Sequence, residues 1–354
     1  MASNPIEFAR TRVAAAALLL SILPLAREAN GQELSIGIID IYGLRRVSVD
    51  QIEAALTFKE GDTISMGNDE PPRVLTESES RLSGLPGVTR ARINPVCCNE
   101  GRVIIFVGIE EQGGAPTLRF RAAPTGSARL ADDIVRSGKE FFEALMPAIQ
   151  RGDAGEDHSQ GHALNHDPAT RAVEERFVTY AKRDLRQLRL VLRTSSDRNQ
   201  RALAAQVLGY ADDKKAVVGD LVRAMRDPSD EVRNSAMRTL LVFADAQPGR
   251  SVSIPRVPVE PFIDFLNSPV WSDRNKSSGA LLALSAKPDP RVLAAVRKKA
   301  LASLVEMARW KSVGHAYAAF IILARIAGYS DEVAESLLDR GERESVIKAA
   351  IARK

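Results

Sequence analysis

Cysteine and histidine are scarce in this chain of 354 residues, which holds two of the first and four of the second. A scaffold of several disulfides or a Cys-rich zinc fold cannot be built from so few side chains. Long apolar runs are short as well. The uncharged stretch between Arg12 and Arg27 covers 14 residues, whereas a bilayer span needs about 20. Later apolar stretches are broken by charges within a few turns. Also missing are a Gly-rich phosphate loop, a nucleophile elbow, paired metal-binding His on a helix and an EF-hand loop. The sequence therefore announces no reaction, and the expectation is a noncatalytic protein.

What is there belongs to a folded chain: 45% hydrophobic and 27% charged residues with a net charge of +4. Residues 1–31 carry Arg10 and Arg12, an apolar run from Val13 to Leu25, and a polar end at Ala29, Asn30 and Gly31. That order is the one of a secretory signal peptide. The mature chain is expected to be exported, to the periplasm first and the extracellular space as the alternative, with no transmembrane span after cleavage. Residues 32–113 hold 8 Lys/Arg against 13 Asp/Glu, and residues 168–354 hold 32 against 22. Opposite charge on two parts of one chain lets them dock on each other or meet different partners. Outside the cytoplasm nucleic acid is not an expected partner, and the basic half points to acidic proteins or anionic surfaces.

Residues 32–113 read as strand, helix, helix, strand, strand. Ser35 to Tyr42 is a β-branched run stopped by Gly43, and Ser48 is placed to cap a helix carrying Ile52, Ala55 and Leu56. A second helix is expected from Pro72 to Ser83, ended by Leu85, Pro86 and Gly87, and strands from Val88 to Val96 and Arg102 to Glu110. The phrases IIDIYGLRRVSVDQIEAAL, FKEGDTI, LSGLPGVTRARI and RVIIFVGIEE resemble, in order and turn positions, the polypeptide-transport-associated (POTRA) domain over about residues 34–112. The resemblance implies an extracytoplasmic module that binds polypeptides by adding an extended segment to a sheet edge. The strand near Thr89 to Asn94 is the candidate edge, with Arg90 and Arg92 as its interaction residues or, equally, as charges that discourage aggregation.

The carboxyl half repeats. DRNQRALAAQVLGYADD from Asp197 is followed by DEVRNSAMRTLLVFADA, DRNKSSGALLALSAKPD and SVGHAYAAFIILARIAG. Aligning Ala204, Ala236, Ala280 and Ala319, and with them Leu208, Leu240, Leu284 and Leu323, gives spacings of 32, 44 and 39 residues, the periods of helical repeat arrays. Partner helices are expected at Val217 to Met225, Val259 to Phe265 and Val292 to Arg309, and the segment from Gln247 to Pro258 is expected to lengthen one connection. The unit from Asp227 to Ala244 resembles a HEAT repeat, which implies a curved solenoid over about residues 171–345 whose concave face binds proteins.

Residues 114–128, rich in Gly, Ala and Pro, read as a linker, followed by a helix over about 129–151 and a polar loop from Gly152 to Asp167. That loop holds His158, His162 and His166. In a helix their four-residue spacing would align three imidazoles as ligands for zinc or another transition metal. Gly155 and Gly161 oppose that helix, and Asp167 before Pro168 reads as the cap of the next one. Cys97 and Cys98 are adjacent, and outside the cytoplasm a vicinal disulfide, an intermolecular bridge and two free thiols all stay open. His315 lies in an apolar helix pattern and is expected to pack. Lys182 with Arg183, Lys214 with Lys215, and Arg297 to Lys299 are candidate anionic contacts.

The expected fold class is α+β, mostly α: a βααββ POTRA-like domain (32–113), a linker segment (114–167) and an α-solenoid of HEAT-like helix pairs (168–354). The expected function is an exported protein–protein interaction scaffold or adaptor of the cell envelope, with other envelope or secreted proteins as partners and no cofactor. The alternative is a metal-dependent envelope enzyme with its site at the His-rich segment.

Overall fold

A computed structural model describes residues 32–66, 71–115, 117–246, 255–287 and 289–353. The signal-peptide reading of residues 1–31 and most of the lengthened connection after Gln247 lie outside the described residues. The fold is α+β and mostly helical. In chain order it holds β1 (Gln32–Tyr42), α1 (Val49–Ala55), β2 (Thr63–Met66), α2 (Arg73–Ser83), β3 (Val88–Asn99), β4 (Arg102–Glu111), α3 (Asp132–Gln150), the short strands β5 (Glu156–Asp157) and β6 (Leu164–Asn165), α4 (Pro168–Arg183), α5 (Leu185–Thr194), α6 (Arg198–Leu208), α7 (Lys214–Ala224), α8 (Asp230–Asp245), α9 (Glu260–Phe265), α10 (Trp271–Leu284), α11 (Pro290–Ala308), α12 (Val313–Ala327), α13 (Asp331–Asp339) and α14 (Arg343–Ala352). No helix among the described residues is long and apolar enough to cross a membrane.

The chain divides into two compact units, and the division does not follow the order of the chain. Among the described residues one unit is built from residues 119–261, the other from residues 32–118 together with 262–353. In the second unit the sheet runs β2, β1, β4, β3, with β1 parallel to β4 and the other pairs antiparallel. Ser48 caps α1 in a capping box with Gln51, as its position in the sequence suggested. Strand β2 is an addition to the order expected from the sequence.

One face of this sheet packs on α1 and α2 through Ile36, Val103, Ile105, Val107, Ile109, Ala91 and Ile93, with Ile52, Leu75 and Leu82 opposite. Side chains alternate along a strand, so Phe106 and Gly108 face the other way, toward the carboxyl-terminal helices. Phe106 stacks on Trp271 with ring centroids 5.3 Å apart and meets Trp310 at 4.9 Å and His315 at 5.4 Å. The Tyr42 hydroxyl donates to the Pro269 carbonyl at 2.8 Å, and the Trp271 N–H donates to Asn94 Oδ1 at 2.9 Å. Gly108 is required there, because a Cβ at that position would stand 1.9 Å from the Pro269 oxygen. Glu306 of α11 completes the contact by accepting from Arg274, from Arg45 and from the Gly43 N–H. β4 is thus covered on both faces, which is why its sequence reads as a continuous apolar run rather than an alternating one.

In the first unit α3 packs on α4, α6 on α5 and α8, and α7 on α8. Asp167 caps α4 by accepting from the Thr170 N–H at 2.9 Å, with Pro168 in the first turn.

Candidate functional site

Three helix-to-helix turns share one hydrogen-bond pattern. Ser195 Oγ accepts from the Asp197 N–H, Asp227 Oδ1 from the Ser229 N–H, and Ser268 Oγ from the Val270 N–H. The carbonyl of the same residue accepts from an arginine six positions on: Ser195 from Arg201 at 2.9 Å, Asp227 from Arg233 at 3.0 Å and Ser268 from Arg274 at 2.6 Å. Carbonyls at helix ends lack intrahelical partners and attract positive charge, so an arginine in the first turn of the next helix satisfies them. All three arginines are buried, and Arg201 also pairs with Asp227 at 2.8 and 2.9 Å. Before α12 the device changes source, since Arg343 of α14 donates to the Ala308 and Trp310 carbonyls.

Registering the helices on their caps shifts the sequence alignment. Asp197, Ser229 and Val270 precede α6, α8 and α10, so Ser277 and Leu281, not Ala280 and Leu284, stand where Ala204 and Leu208 do. Small residues recur often enough in α10 to allow a slip of three positions. The shared arginine is the signal that fixes the register.

Residues 119–130 form no free tether. They run extended over two of these turns as a strap. The Arg121 N–H donates to the Arg226 carbonyl, the Gly126 N–H donates to the Thr194 carbonyl, and the Ser196 N–H donates to the Gly126 carbonyl, each at 2.8 Å. Gly126 permits the approach, since a Cβ there would stand 2.5 Å from the Thr194 oxygen. The Arg233 guanidinium lies 4.4 Å above the Phe120 ring. Gln187 donates to the Arg129 carbonyl, and the Leu130 N–H donates to Gln200, both at 2.7 Å. The strap is therefore an extended polypeptide held by main-chain hydrogen bonds on helix turns.

The His-rich segment is a tight β5 to β6 turn, not a helix, and its imidazoles have separate surroundings. His158 bridges two carboxylates, Asp245 at 2.7 Å on Nδ1 and Glu156 at 3.2 Å on Nε2. Burial works against its charge, but these carboxylates outweigh it and push His158 up to about 9. Glu156 also pairs with Arg238. Burial and the Glu156 charge raise Glu174 to about 8, and its carboxyl group accepts from the Asn165 N–H and the Tyr210 hydroxyl. His162 packs against the Tyr210 ring and is pushed down to about 4 by burial and by Lys214. His166 lies against Gly155. Among the described residues no group of three or more His, Cys, Asp or Glu is arranged to hold a metal ion. Sequence reasoning found His158 but not Glu156, Arg238 and Asp245 as its partners in a buried ionic cluster.

Strand β3 is an edge of its sheet, as the expected interaction edge requires. Arg92 pairs with Glu79 of α2, and Arg90 stands opposite Glu110 in the ladder. The outward Ile93 N–H donates to Glu79 at 2.9 Å, and Pro95, two residues on along the same edge, has no N–H. The outward donors of β3 are interrupted at its middle. Cys97 and Cys98 at the end of β3 are joined as a vicinal disulfide. Of the basic clusters, Lys214 is buried with Nζ donating to the Gly209 carbonyl at 2.8 Å, and Arg183 pairs with Asp133 and Asp184.

No protein-family model matches this chain, and no curated protein matches it.

Proposed function

We propose that this chain is an exported, noncatalytic adaptor of the cell envelope that holds other polypeptides on its HEAT-like helix pairs. The strap carries this reading. Residues 119–130 lie extended on the turns after α5 and α7, held by main-chain bonds that do not depend on the side chains of the bound segment. The repeated Ser/Asp and Arg turns supply a rigid edge for such a segment, and the signal-like order of residues 1–31 supports partners outside the cytoplasm. The POTRA-like sheet contributes structure more than capture, because Glu79 and Pro95 interrupt the donors of β3 while helices α10 to α12 cover its second face.

The test is affinity purification of the tagged mature chain after crosslinking in the exporting cell. The intact chain is the proper bait, since a cut near residue 113 separates the sheet from the helices it packs on. Retention of a reproducible set of envelope polypeptides is expected. A chain that retains none, or one that turns over substrate when loaded with zinc, overturns the reading.

A further inference from the structure

Beside the strap the first unit has an open groove of about 130 Å³ lined by Arg121, Pro124, Leu192, Arg193, Asp220 and Arg223 among others. Its two carboxylates are already matched: Asp220 accepts from Arg189 and Arg193, and Asp227 accepts from Nε and Nη2 of buried Arg201. Arg121, Arg193 and Arg223 line the groove with these two carboxylates, and Arg189 and Arg201 neutralise the carboxylates from outside the lining, which leaves the charge of Arg121 and Arg223 unmatched. Arg121 and Arg223 have no hydrogen-bond acceptor or ion-pair partner for their side chains among the described residues, and both are exposed. The volume takes about four waters at roughly 30 Å³ each. That suits a carboxylate with its hydration.

We infer that this groove binds an acidic side chain or terminal carboxylate of a partner polypeptide, with Arg121 and Arg223 as its donors. The inference rests on the adaptor reading and names the chemistry of the segment bound. Planar guanidinium forks match a carboxylate in two parallel bonds, which gives direction as well as charge. Leu192, Pro124 and Ala224 supply apolar walls for the methylenes beneath the acid.

The probe is a fluorescein-labelled Gly-Gly-Glu-Glu-Glu peptide, followed by anisotropy against the full mature chain, with a Gly-Gly-Gln-Gln-Gln amide as its neutral counterpart. Arg223→Glu is expected to weaken the acidic peptide by at least about tenfold. Arg186→Glu, on the exposed face of α5 outside the groove, makes the same change in net charge and is expected to shift binding less than about twofold. Equal losses in the two variants, equal affinity for the glutamine peptide, or no binding by the wild-type chain overturns the inference. Inorganic phosphate as competitor separates the sources: displacement only at far higher concentration than the peptide is expected, and displacement at equal concentration overturns a carboxylate site in favour of a general anion site. Polypeptides still retained by a chain that ignores the acidic peptide end this inference alone, whereas a chain that retains neither ends the adaptor reading too.

Discussion

One buried histidine from each compact unit shows two opposite outcomes of burial. In the first, His158 sits between the Asp245 and Glu156 carboxylates and stays charged to about 9. In the second, His315 meets Phe106 and Trp271 edge-on, and burial with the nearby Lys276 charge pushes it down to about 4. The contrast extends to what holds each unit together. Both units use the arginine-satisfied turn and ion pairs, but the first adds a main-chain strap, while the second closes on an aromatic cluster between a sheet and helices drawn from the far end of the chain. A polar edge kept in register by arginines is a surface on which another chain can lie. An aromatic interior is not.

Both tryptophans of the chain, Trp271 and Trp310, belong to the second unit, so tryptophan fluorescence follows that unit while far-UV circular dichroism follows the whole. The largest separation of the two signals is expected from Phe106→Ala, which empties the centre of the aromatic cluster at a cost of about 3–5 kcal/mol. The fluorescence transition should move to lower temperature by more than the transition of the remaining helix signal. Arg201→Met acts on the other side of the comparison. It leaves buried Asp227 without its ion-pair partner, a loss of about 3 kcal/mol, and should lower the helix transition while the fluorescence midpoint changes less.

pH sharpens the contrast further. Unfolded histidine titrates near 6.5. His315, depressed in the folded state, contributes stability that is present above about 6.5 and lost as pH falls toward 4. His158, raised in the folded state, contributes stability that is present below about 6.5 and lost as pH rises through 9. Each is worth up to about 3 kcal/mol. Thermal scans across this range should show an acid arm in the fluorescence transition that His315→Phe flattens, while His162, also pushed down to about 4, gives the first unit an acid loss of the same sign. His158→Gln should flatten the alkaline arm of the dichroism transition only in part, because Glu174, raised to about 8, contributes a loss of the same sign as pH rises. The smallest effect is expected at the sheet edge. Glu79→Ala removes a partly exposed pair with Arg92 and a bond to the Ile93 N–H. It should cost under about 1 kcal/mol and show instead as self-association of the freed edge by sedimentation.

Much of this fold is legible in local sequence. Ser48 and Asp167 cap the helices they precede, the α2, β3 and β4 segments fall near their expected bounds, and the apolar spacing marks the helices from α6 to α12. Strand β2 escapes because four residues, TISM, carry too little periodicity and pair with β1 only through tertiary contact. The strap escapes because its bonds are made by the main chain, so a Gly, Ala and Pro composition gives the same signal whether the segment is tethered or docked. The second covered face of the sheet was visible in the unbroken run Val103 to Val107, but its cover comes from residues more than 150 positions away. The His158 cluster is hidden for the same reason, since Arg238 and Asp245 lie about eighty residues on.

The central claim is that polypeptides bind beside the turns after α5 and α7 and not at the β3 edge. A photoreactive benzophenone residue placed at exposed Ala122 on the strap, which lines the groove without donating to its occupant, or at exposed Thr89 on β3, tests this in the exporting cell. The account predicts polypeptide adducts from position 122 and none from position 89. Adducts confined to position 89 would contradict it.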